Sequence, residues 1–315
     1  MFKADIAISV EGLEKSYKKL KVLKGINFTI KKGSIFALLG ANGAGKTTAV
    51  KILTTLLKPD KGSVQICGLD ILSQADKVRG AISLTGQYAA VDEVMTGKEN
   101  LRMIGKLRHL SDVNSRADEL LSRFELTDAA DRRVAAYSGG MRRRLDLAMS
   151  LLGDPSVIFL DEPTTGLDPQ SRIAMWKIIK ELSRSGITVF LTTQYLDEAD
   201  QLADQIAILK DGKIVAEGTA AELKKLLPHG HIELKFNDGK LLQAVRDLLK
   251  EYSSSQDIQN STLSVVTDGS IKQITDILNK LEKQGIPVAE FSQKLPTLEE
   301  VFLAIIGENK EKEAI

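Results

Sequence analysis

GANGAGKTT, residues 40–48, is the stretch of sequence that decides the fold. It fits the pattern G-x-x-x-x-G-K-[ST], and we call it the phosphate loop. The apolar run Ile35–Leu39 before it predicts a buried strand, and apolar residues at helical spacing from Val50 to Leu57 predict a helix that stops at Pro59. A strand, a glycine-rich turn and a helix start together favour a phosphate cradle over a chance match on a glycine-rich turn.

The chemistry of this cradle follows from its residue types. Glycines let backbone N–H groups converge on phosphates with no side chain in the way, and the helix N-terminus adds a partial positive charge. Lys46 can reach the outer phosphates, and the hydroxyl of Thr47 suits Mg²⁺. We therefore expect this stretch to bind phosphates together with Mg²⁺.

Composition limits the class of protein. The chain has 315 residues, enough for one large and one smaller domain, and its 43 Lys and Arg against 42 Asp and Glu give a net charge of +1. This balance argues against nucleic acid as the main partner. No apolar run approaches the ~20 residues that cross a bilayer, and the N-terminus lacks the layout of a signal peptide. We expect a cytosolic protein whose membrane role comes through a partner. Cys67, the single cysteine, excludes an internal disulfide.

Two adjacent acids follow a second buried run. Val157–Leu160 is apolar and ends in Asp161 and Glu162, as expected of a central parallel strand with acids at its carboxyl edge, where open α/β sheets bind ligands. Asp161 can hold Mg²⁺ through water, and Glu162 can orient or deprotonate an attacking water. The alternative is that both acids cap a helix that begins near Pro163.

The remaining segments suggest the organisation of the chain. Residues 96–150 carry helical spacing without strand signals, which predicts a helical subdomain inserted into a sheet domain. Its run Arg142–Arg144 is interpreted as locally solvated or as part of an interface. From residue 228 the pattern approximates β-α-β-β-α-β with an added helix, the split βαβ arrangement, with Ser253–Ser255 as a break. His229 and His231 lack other metal ligands nearby and are interpreted as a solvated linker pair.

The order of several motifs is more specific than any one of them. The phosphate loop, Gln87, YSGGM at 137–141, Asp161-Glu162, Asp168 and a switch position at Gln194 together resemble the nucleotide-binding subunit of ABC transporters. The strings TGQYAAVDE at 85–93, LTTQYLDEAD at 191–200 and LEEVFLA at 298–304 are similar to the daunorubicin-resistance type of antibiotic-exporter ATPase.

The resemblance implies a fold and a division into domains. The fold is an α/β P-loop NTPase, an ABC-type nucleotide-binding domain with an inserted helical subdomain, followed by a small α+β ferredoxin-like domain. We expect the ATP-binding domain over residues 1–227, with its helical subdomain at about 88–152. A C-terminal accessory or regulatory domain would cover 228–307, and a charged, frayed tail 308–315.

The resemblance also implies a role for each site residue. Tyr17, which taken alone could be an ordinary surface tyrosine, would stack on adenine. Gln87 would contact Mg²⁺ and the attacking water, and the segment after it would contact the membrane partner. Glu162 and Lys46 would be catalytic with Gln194, and Asp168 would lie at a dimer contact. The triphosphate would be bound by Gly40, Ala41, Asn42, Gly43, Ala44, Gly45, Lys46, Thr47 and Thr48, Mg²⁺ by Thr47, Gln87 and Asp161, and the γ-phosphate held by a second copy of the chain by Ser138, Gly139 and Gly140.

The chain departs from the broad family at three positions. Tyr137 and Met141 replace a usual Leu and Gln around the serine and glycines, and neither need supply phosphate contacts. Gln194 stands where most ABC ATPases have His. A glutamine amide can donate a hydrogen bond to a phosphate oxygen but cannot be protonated near neutral pH. We hypothesise that Gln194 is a hydrogen-bond sensor and that Glu162 is the base. Ser138 could alternatively be a plain helix N-cap.

Three functions remain to be compared. In the first, the chain is a homodimerising ATPase at the cytoplasmic face of the membrane, peripheral to it, which drives export of a drug or other hydrophobic compound through a separate permease, suspected to be of the ABC-2 type. In the second, it is a soluble ABC-type ATPase that acts on nucleic acid or ribosomes, which the single nucleotide domain and the missing basic stripe disfavour. The third, a kinase or GTPase, lacks an N-K-x-D string and leaves YSGGM unexplained.

Overall fold

The computed structural model describes residues 5–227, 230–294 and 296–307. The chain divides into two compact units, Met1–Ala220 and Ala221–Ile315. The expected boundary, after residue 227, lies seven residues C-terminal to this division. The change in sequence pattern near residue 228 marks the first strand of the second unit, Gly230–Lys235, rather than the division itself. His229 and the expected tail, 308–315, lie outside the described residues. Among the described residues, no helix combines the length and apolar character needed to cross a bilayer.

The larger unit mixes strands and helices along the chain. Its strands are β1 (Ile6–Tyr17), β2 (Leu20–Lys31), β3 (Ile35–Leu39), β4 (Lys61–Ile66), β5 (Leu69–Asp70), β6 (Ile82–Thr85), β7 (Val157–Asp161), β8 (Thr188–Thr193), β9 (Gln205–Lys210) and β10 (Lys213–Gly218). Its helices are α1 (Lys46–Leu53), α2 (Ala75–Ala81), α3 (Gly97–Leu107), α4 (Val113–Arg123), α5 (Gly139–Ser150), α6 (Pro169–Arg184) and α7 (Leu196–Leu202), and α8 (Ala220–Lys224) lies at the division.

A six-stranded sheet forms the centre of this unit, in the order β10-β9-β3-β8-β7-β6. All its neighbouring pairs are parallel except the hairpin of β9 and β10. Every residue of β3, β7 and β8 is buried, which explains why their sequences are continuous apolar runs rather than alternating ones. The predicted central strand of a parallel sheet, at Val157–Leu160, is confirmed.

An antiparallel sheet of order β2-β1-β4-β5 packs against the central sheet. Phe28 of β2 stacks on Phe36 of β3 with ring centroids 5.1 Å apart, and Phe36 stacks on Phe190 of β8 at 5.6 Å. Irregular pairing on either side of Gly12, whose φ is +59°, lets β1 continue to Tyr17.

Helices α3, α4 and α5 form the subdomain between β6 and β7. As predicted, the described residues between these strands contain no strand, only an isolated bridge between Thr96 and Arg133. Helix α1 is shorter than predicted and ends at Leu53 rather than near Pro59. The Thr54 hydroxyl donates to Val50 O at 2.8 Å, and Thr55 takes a left-handed φ of +62°, which ends the helix.

The smaller unit has the predicted split βαβ arrangement. In chain order it contains β11 (Gly230–Lys235), α9 (Leu241–Leu248), β12 (Ser254–Asp257), β13 (Thr262–Thr267), α10 (Ile271–Lys283), β14 (Glu290–Lys294) and α11 (Leu298–Gly307). The sheet is antiparallel in the order β12-β13-β11-β14. The break predicted at Ser253–Ser255 is wrong, because β12 starts at Ser254. This strand lies at the sheet edge without an apolar side chain, so its sequence is typical of a loop.

Candidate nucleotide-binding site

Four of the predicted site segments meet at one edge of the central sheet. Gly40 follows β3, Gln194 follows β8, Glu162 follows β7, and Gln87 lies just beyond β6. The register aligns these strand ends, since Leu39 pairs with Thr193, Thr192 with Asp161, and Leu160 with Thr85. The carboxyl edge of the parallel sheet therefore collects the phosphate loop, the paired acids and both glutamines.

The phosphate loop is closely packed against its surroundings at two glycines. A Cβ on Gly40 would lie 2.5 Å from Leu209 O, and the Gly40 N–H donates to Thr193 O at 3.2 Å. Gly45 has a φ of +113°, and a Cβ there would lie 2.9 Å from Leu23 Cδ2. Helix α1 begins at the next residue, Lys46. The backbone thus turns directly into a helix N-terminus, the geometry that favours an anion.

Lys46 is a buried cation at this edge, with only 5% of its side chain exposed. Its Nζ donates to Gly40 O at 2.7 Å and to Ala41 O at 3.2 Å, and lies 3.4 Å from Glu162 Oε1. The ion pair links the phosphate loop to the strand that carries the acids. A phosphate oxygen at this position would replace a carboxylate oxygen as the partner of the ammonium. Lys46 and the phosphate loop therefore fit a nucleoside triphosphate.

Glu162 is held in an unusual backbone conformation. Its φ is +50°, in the left-handed region that side chains disfavour. Its N–H donates to Thr192 O and to Thr192 Oγ1, both at 3.1 Å, and Thr165 Oγ1 donates to its Oε2 at 3.3 Å. The next helix begins only at Pro169 and is capped by Asp168, so neither Asp161 nor Glu162 serves as a helix cap.

The residues predicted for Mg²⁺ offer oxygen atoms of three kinds. Asp161 is buried, and its Oδ1 accepts a hydrogen bond from Thr192 Oγ1 at 2.5 Å, while Thr47 and Gln87 are exposed. Within the described ranges, no cluster of three or more His, Cys, Asp or Glu could hold a metal ion. A carboxylate, a hydroxyl and an amide fit Mg²⁺, which commonly completes its shell with water and substrate phosphates.

Ser138, Gly139 and Gly140, here called the serine–glycine segment, start α5. Ser138 Oγ accepts from Met141 N at 3.2 Å and Ser138 O accepts from Arg142 N at 3.0 Å, so Ser138 is the N-cap of α5. A Cβ on Gly140 would overlap Ser171 Oγ. Ser171 in turn donates from N and Oγ to Asp168, at 2.9 and 2.6 Å, and these bonds lower the Asp168 pKa. The structure therefore joins the segment to the Asp168 turn.

Tyr17 lies at the end of β1, opposite Leu20 of β2, with 45% of its surface exposed. The hairpin that carries it reaches the phosphate loop through Val22 and Leu23, which border Gly45. Its ring is therefore available for stacking beside the loop, although it is not at the sheet edge.

Sequence reasoning misjudged the arginine run. Arg143 was interpreted as solvated or as part of an interface, but only 5% of it is exposed. It lies against the buried carboxylate of Asp146, with Nη1 3.4 Å from Oδ2. Burial raises the pKa of Asp146 to about 6, although Arg143 and the Ala90 N–H act in the opposite direction. The helical spacing of Arg143 and Asp146, three apart, was the available signal for a pair.

Glu198 is a second buried acid that sequence reasoning missed. It is fully buried in α7, and its Oε1 accepts from Thr164 Oγ1 at 2.8 Å and from Trp176 Nε1 at 3.3 Å. Burial raises its pKa. It connects the turn after Glu162 to the helix after Gln194.

A groove of about 970 Å³ in the helical subdomain runs along α3 to its last residue, Leu107. Its lining contains one acid, Glu99, whose carboxylate is already engaged because it accepts from Thr96 N at 2.8 Å in a capping box. The remaining lining combines apolar and basic side chains, namely Val94, Met95, Met103 and Leu107 with Arg102, Lys106 and Arg133.

Comparison with known proteins finds a matching family model for each of the two units. Residues 23–165 match the family model described as ABC transporter, and residues 218–306 match the C-terminal domain of ATP-binding protein DrrA1-3-like. Among curated relatives, the daunorubicin resistance ATP-binding protein DrrA3 of Streptomyces coeruleorubidus is 44% identical and covers 98% of each chain. The doxorubicin resistance ATP-binding protein DrrA of Mycobacterium tuberculosis (strain CDC 1551 / Oshkosh) is 42% identical, over 96% of this chain and 94% of its own.

More distant relatives and solved structures extend the similarity. The Nod factor export ATP-binding protein I of Ralstonia nicotianae (strain ATCC BAA-1114 / GMI1000) is 35% identical over 95% of this chain and 94% of its own. A nucleotide-free ATP-binding cassette from an ABC transporter has a TM-score of 0.64 at 26% identity, covering 70% of this chain and 95% of that one. A dimeric cassette bound to ADP and Pi in a post-hydrolysis state has a TM-score of 0.61 at 27% identity, covering 67% and 98%.

Proposed function

The chain belongs to the ABC transporter ATP-binding proteins and, among them, to the DrrA type of drug-resistance ATPase, and on this premise we propose how its own residues carry out export. It is the ATP-binding and ATP-hydrolysing subunit of an exporter. The observation that carries the assignment of its site is the pair of Lys46 Nζ and Glu162 Oε1, 3.4 Å apart at the sheet edge. It brings the phosphate-loop cation and the candidate base into one site.

In the proposed mechanism, the phosphate loop binds the triphosphate of ATP and Lys46 neutralises its outer oxygens. Thr47, Gln87 and Asp161 would hold Mg²⁺, which supplies charge neutralisation for the phosphates when bound. Glu162 accepts the proton of the attacking water, and Gln194 donates a hydrogen bond to the γ-phosphate without titrating. Tyr17 stacks on the adenine.

The second half of each nucleotide site comes from another copy of the chain. The serine–glycine segment is a helix N-terminus, a suitable anion site, which Ser138 caps by accepting from Met141 N. In a homodimer, the segment of one copy would cover the ATP held by the other. Asp168, packed against the same corner through Ser171, would lie at the dimer contact. The similarity to a dimeric cassette supports this arrangement.

The groove on the helical subdomain is the proposed docking surface for a membrane permease, for which an ABC-2 type is our choice. It lies beside Thr96, just beyond the Gln87 segment. Its apolar walls and its three cationic side chains suit a cytoplasmic permease segment with apolar side chains and at least one carboxylate. The chain would thus be peripheral, at the cytoplasmic face of the cell membrane.

The proposed cargo is a drug or a comparable hydrophobic compound. The relatives named for daunorubicin and doxorubicin resistance cover nearly the whole chain at 42 to 44% identity, against 35% for a relative named for Nod factor export. The competing function, a soluble ATPase acting on nucleic acid or ribosomes, finds no support among these relatives. The smaller unit would serve as an accessory or regulatory domain.

The first test measures hydrolysis of Mg-ATP by the purified chain. Wild type should hydrolyse ATP, Lys46→Ala should lose nucleotide binding, and Glu162→Gln should bind without turnover. Wild type that binds no ATP, or an active Glu162→Gln variant, would refute the assignment of the site.

The second test captures the chain from its native membranes after crosslinking. An integral membrane protein should be recovered with wild type and lost with Arg102→Glu in the groove. Lys77→Glu, an exposed charge reversal on α2, is the matched control and should retain it. Recovery of a soluble partner, of none, or of the same membrane protein with Arg102→Glu would contradict the proposed docking surface.

A further inference from the structure

The three consecutive arginines of α5 each bind a different segment of the larger unit. Arg142 donates to Glu93 Oε1 at 2.7 Å and to Ala135 O at 3.0 Å. Arg144 donates to Phe124 O at 3.1 Å. Arg143, between them, is the buried member, and its contacts point toward the nucleotide site. The run is therefore a set of cross-links made from one helix rather than a solvated charge cluster.

Arg143 uses three nitrogens to hold backbone carbonyls on two segments. Its Nη1 donates to Gly86 O at 2.5 Å, immediately before Gln87. Its Nε donates to Pro163 O at 2.9 Å, and its Nη2 donates to Asp161 O at 3.4 Å. The rigid, planar guanidinium fork is the side chain suited to such divergent acceptors.

The two carbonyls on the acidic strand flank Glu162. The left-handed φ of +50° at Glu162 is a conformation that persists only when its surroundings hold it. Thr192 holds the Glu162 N–H from one side, and Arg143 holds the carbonyls of Asp161 and Pro163. The direction of the Glu162 carboxylate therefore depends on the guanidinium.

Asp146 completes the connection to the segment after Gln87. Its Oδ2 lies 3.4 Å from Arg143 Nη1, and its Oδ1 accepts from Ala90 N at 3.1 Å. Gly86 and Ala90, on the two sides of Gln87, are thus both bound to this one ion pair. A buried ion pair is costly compared with apolar packing, so packing alone does not account for it.

We propose that Arg143, oriented by Asp146, is a positioning residue that couples the Gly86–Ala90 segment to the turn that carries Glu162. The proposal rests on the proposed function, in which the segment after Gln87 lies next to the permease. A displacement of Gly86 or Ala90 by the permease then moves the guanidinium, and with it the carboxylate that activates water. Arg143 itself touches neither nucleotide nor water.

The decisive variant is Arg143→Lys in the full-length chain, because it keeps the charge and removes the fork. We expect the kcat for Mg-ATP to fall about 10- to 100-fold, as for a small misplacement of a catalytic group, while the KM and the Kd of ATP stay within about twofold. Arg144→Lys is the matched control, since it changes the neighbouring arginine without touching either segment, and its kcat should stay within about twofold of wild type.

Hydrogen exchange supplies a second readout that does not depend on turnover. In Arg143→Lys, the amides of residues 86–90 and of Glu162, Thr164 and Thr165 should exchange faster than in wild type, and those of 124–126 should not. Unchanged kcat with unchanged exchange in Arg143→Lys would overturn the proposal, as would equal loss of ATP affinity and kcat, which indicates general damage. Absent hydrolysis by wild type itself would instead mark the failure of the proposed function.

Discussion

Replacing Glu162 by glutamine should strengthen ATP binding while it stops hydrolysis, because the same carboxylate neutralises Lys46 before the nucleotide arrives. The two side chains are 5% and 11% exposed, and Nζ lies 3.4 Å from Oε1. ATP must separate this pair to gain the ammonium. The variant removes the competitor and leaves Lys46 with the carbonyls of Gly40 and Ala41.

The magnitude follows from the geometry. At this distance and an effective dielectric constant of about 20, the gross Coulomb attraction is about 5 kcal/mol. Desolvation of both groups offsets most of this attraction. In the variant, hydrogen bonds of Lys46 to the two carbonyls and to the glutamine amide keep part of the remainder, so we expect a net loss of stability of roughly 1–2 kcal/mol. The nucleotide-free variant should be less stable by this amount, and its Kd for ATP should fall about 5- to 30-fold. Loss of the base should lower kcat about 10²- to 10⁴-fold.

The assay combines denaturant unfolding of the nucleotide-free chain with calorimetric titration by Mg-ATP. Glu181→Gln, a half-buried carboxylate on α6 outside the site, is the matched control and should change neither quantity. A double-mutant cycle with Lys46→Met isolates the pair energy. Unaltered stability together with an equal or weaker affinity for ATP would refute the competition argument, and retained turnover would refute the role of Glu162 as base.

Three further predictions concern other parts of the site. Gly140→Ala should leave ATP binding by the monomer intact but reduce turnover and dimer formation at least tenfold, measured by ultracentrifugation with ATP, because its Cβ would overlap Ser171 Oγ at the proposed dimer face. The pKa of Asp146 is raised from 3.8 to about 6, so the stability that this carboxyl contributes is present below about pH 4 and is lost as the pH rises through 6. Between pH 5 and 7.5, the free energy of unfolding of wild type should therefore fall by roughly 1 kcal/mol more than that of Asp146→Asn. In single-turnover hydrolysis, Gln194→Ala should slow the reaction about tenfold, whereas Glu162→Gln should abolish it. If Gln194→Ala abolished hydrolysis and Glu162→Gln did not, Glu162 could not be the base and Gln194 would do more than donate a hydrogen bond.

Sequence reasoning predicted the sheet edge because its strands are buried on both faces. A strand such as Val157–Asp161 must be continuously apolar, and the first polar residues after it must reach the edge where parallel strands end. The phosphate loop, Asp161 and Glu162 could therefore be placed together from the sequence. The hydrogen bonds that hold these residues could not be predicted from the sequence. Thr192 has no distinguishing feature in the sequence, and only the strand register places it opposite Asp161.

Burial of individual polar residues was the main source of error. In a helix, three successive arginines point in three directions about 100° apart, so one of them can face inward while its neighbours stay at the surface. Which one does so is decided by the partners that the fold supplies, here the carbonyls near Gly86 and Pro163. Strand β12 was not predicted because it is an edge strand without an apolar side chain, and its sequence therefore lacks the usual strand signal. Helix α1 ended early because Thr55 adopts a left-handed backbone that no propensity scale anticipates.

Under the proposed function, the ion pair of Lys46 and Glu162 links ATP binding to hydrolysis. The Glu162 carboxylate is engaged by the Lys46 ammonium at 3.4 Å and by the Thr165 hydroxyl at 3.3 Å. A triphosphate that takes Lys46 releases one carboxylate oxygen, and the brace formed by Thr192 and Arg143 keeps the backbone of Glu162 in place during the exchange. Under the proposed function, the base thus becomes available only after ATP has bound, and the left-handed conformation of Glu162 supplies the fixed direction in which it then acts.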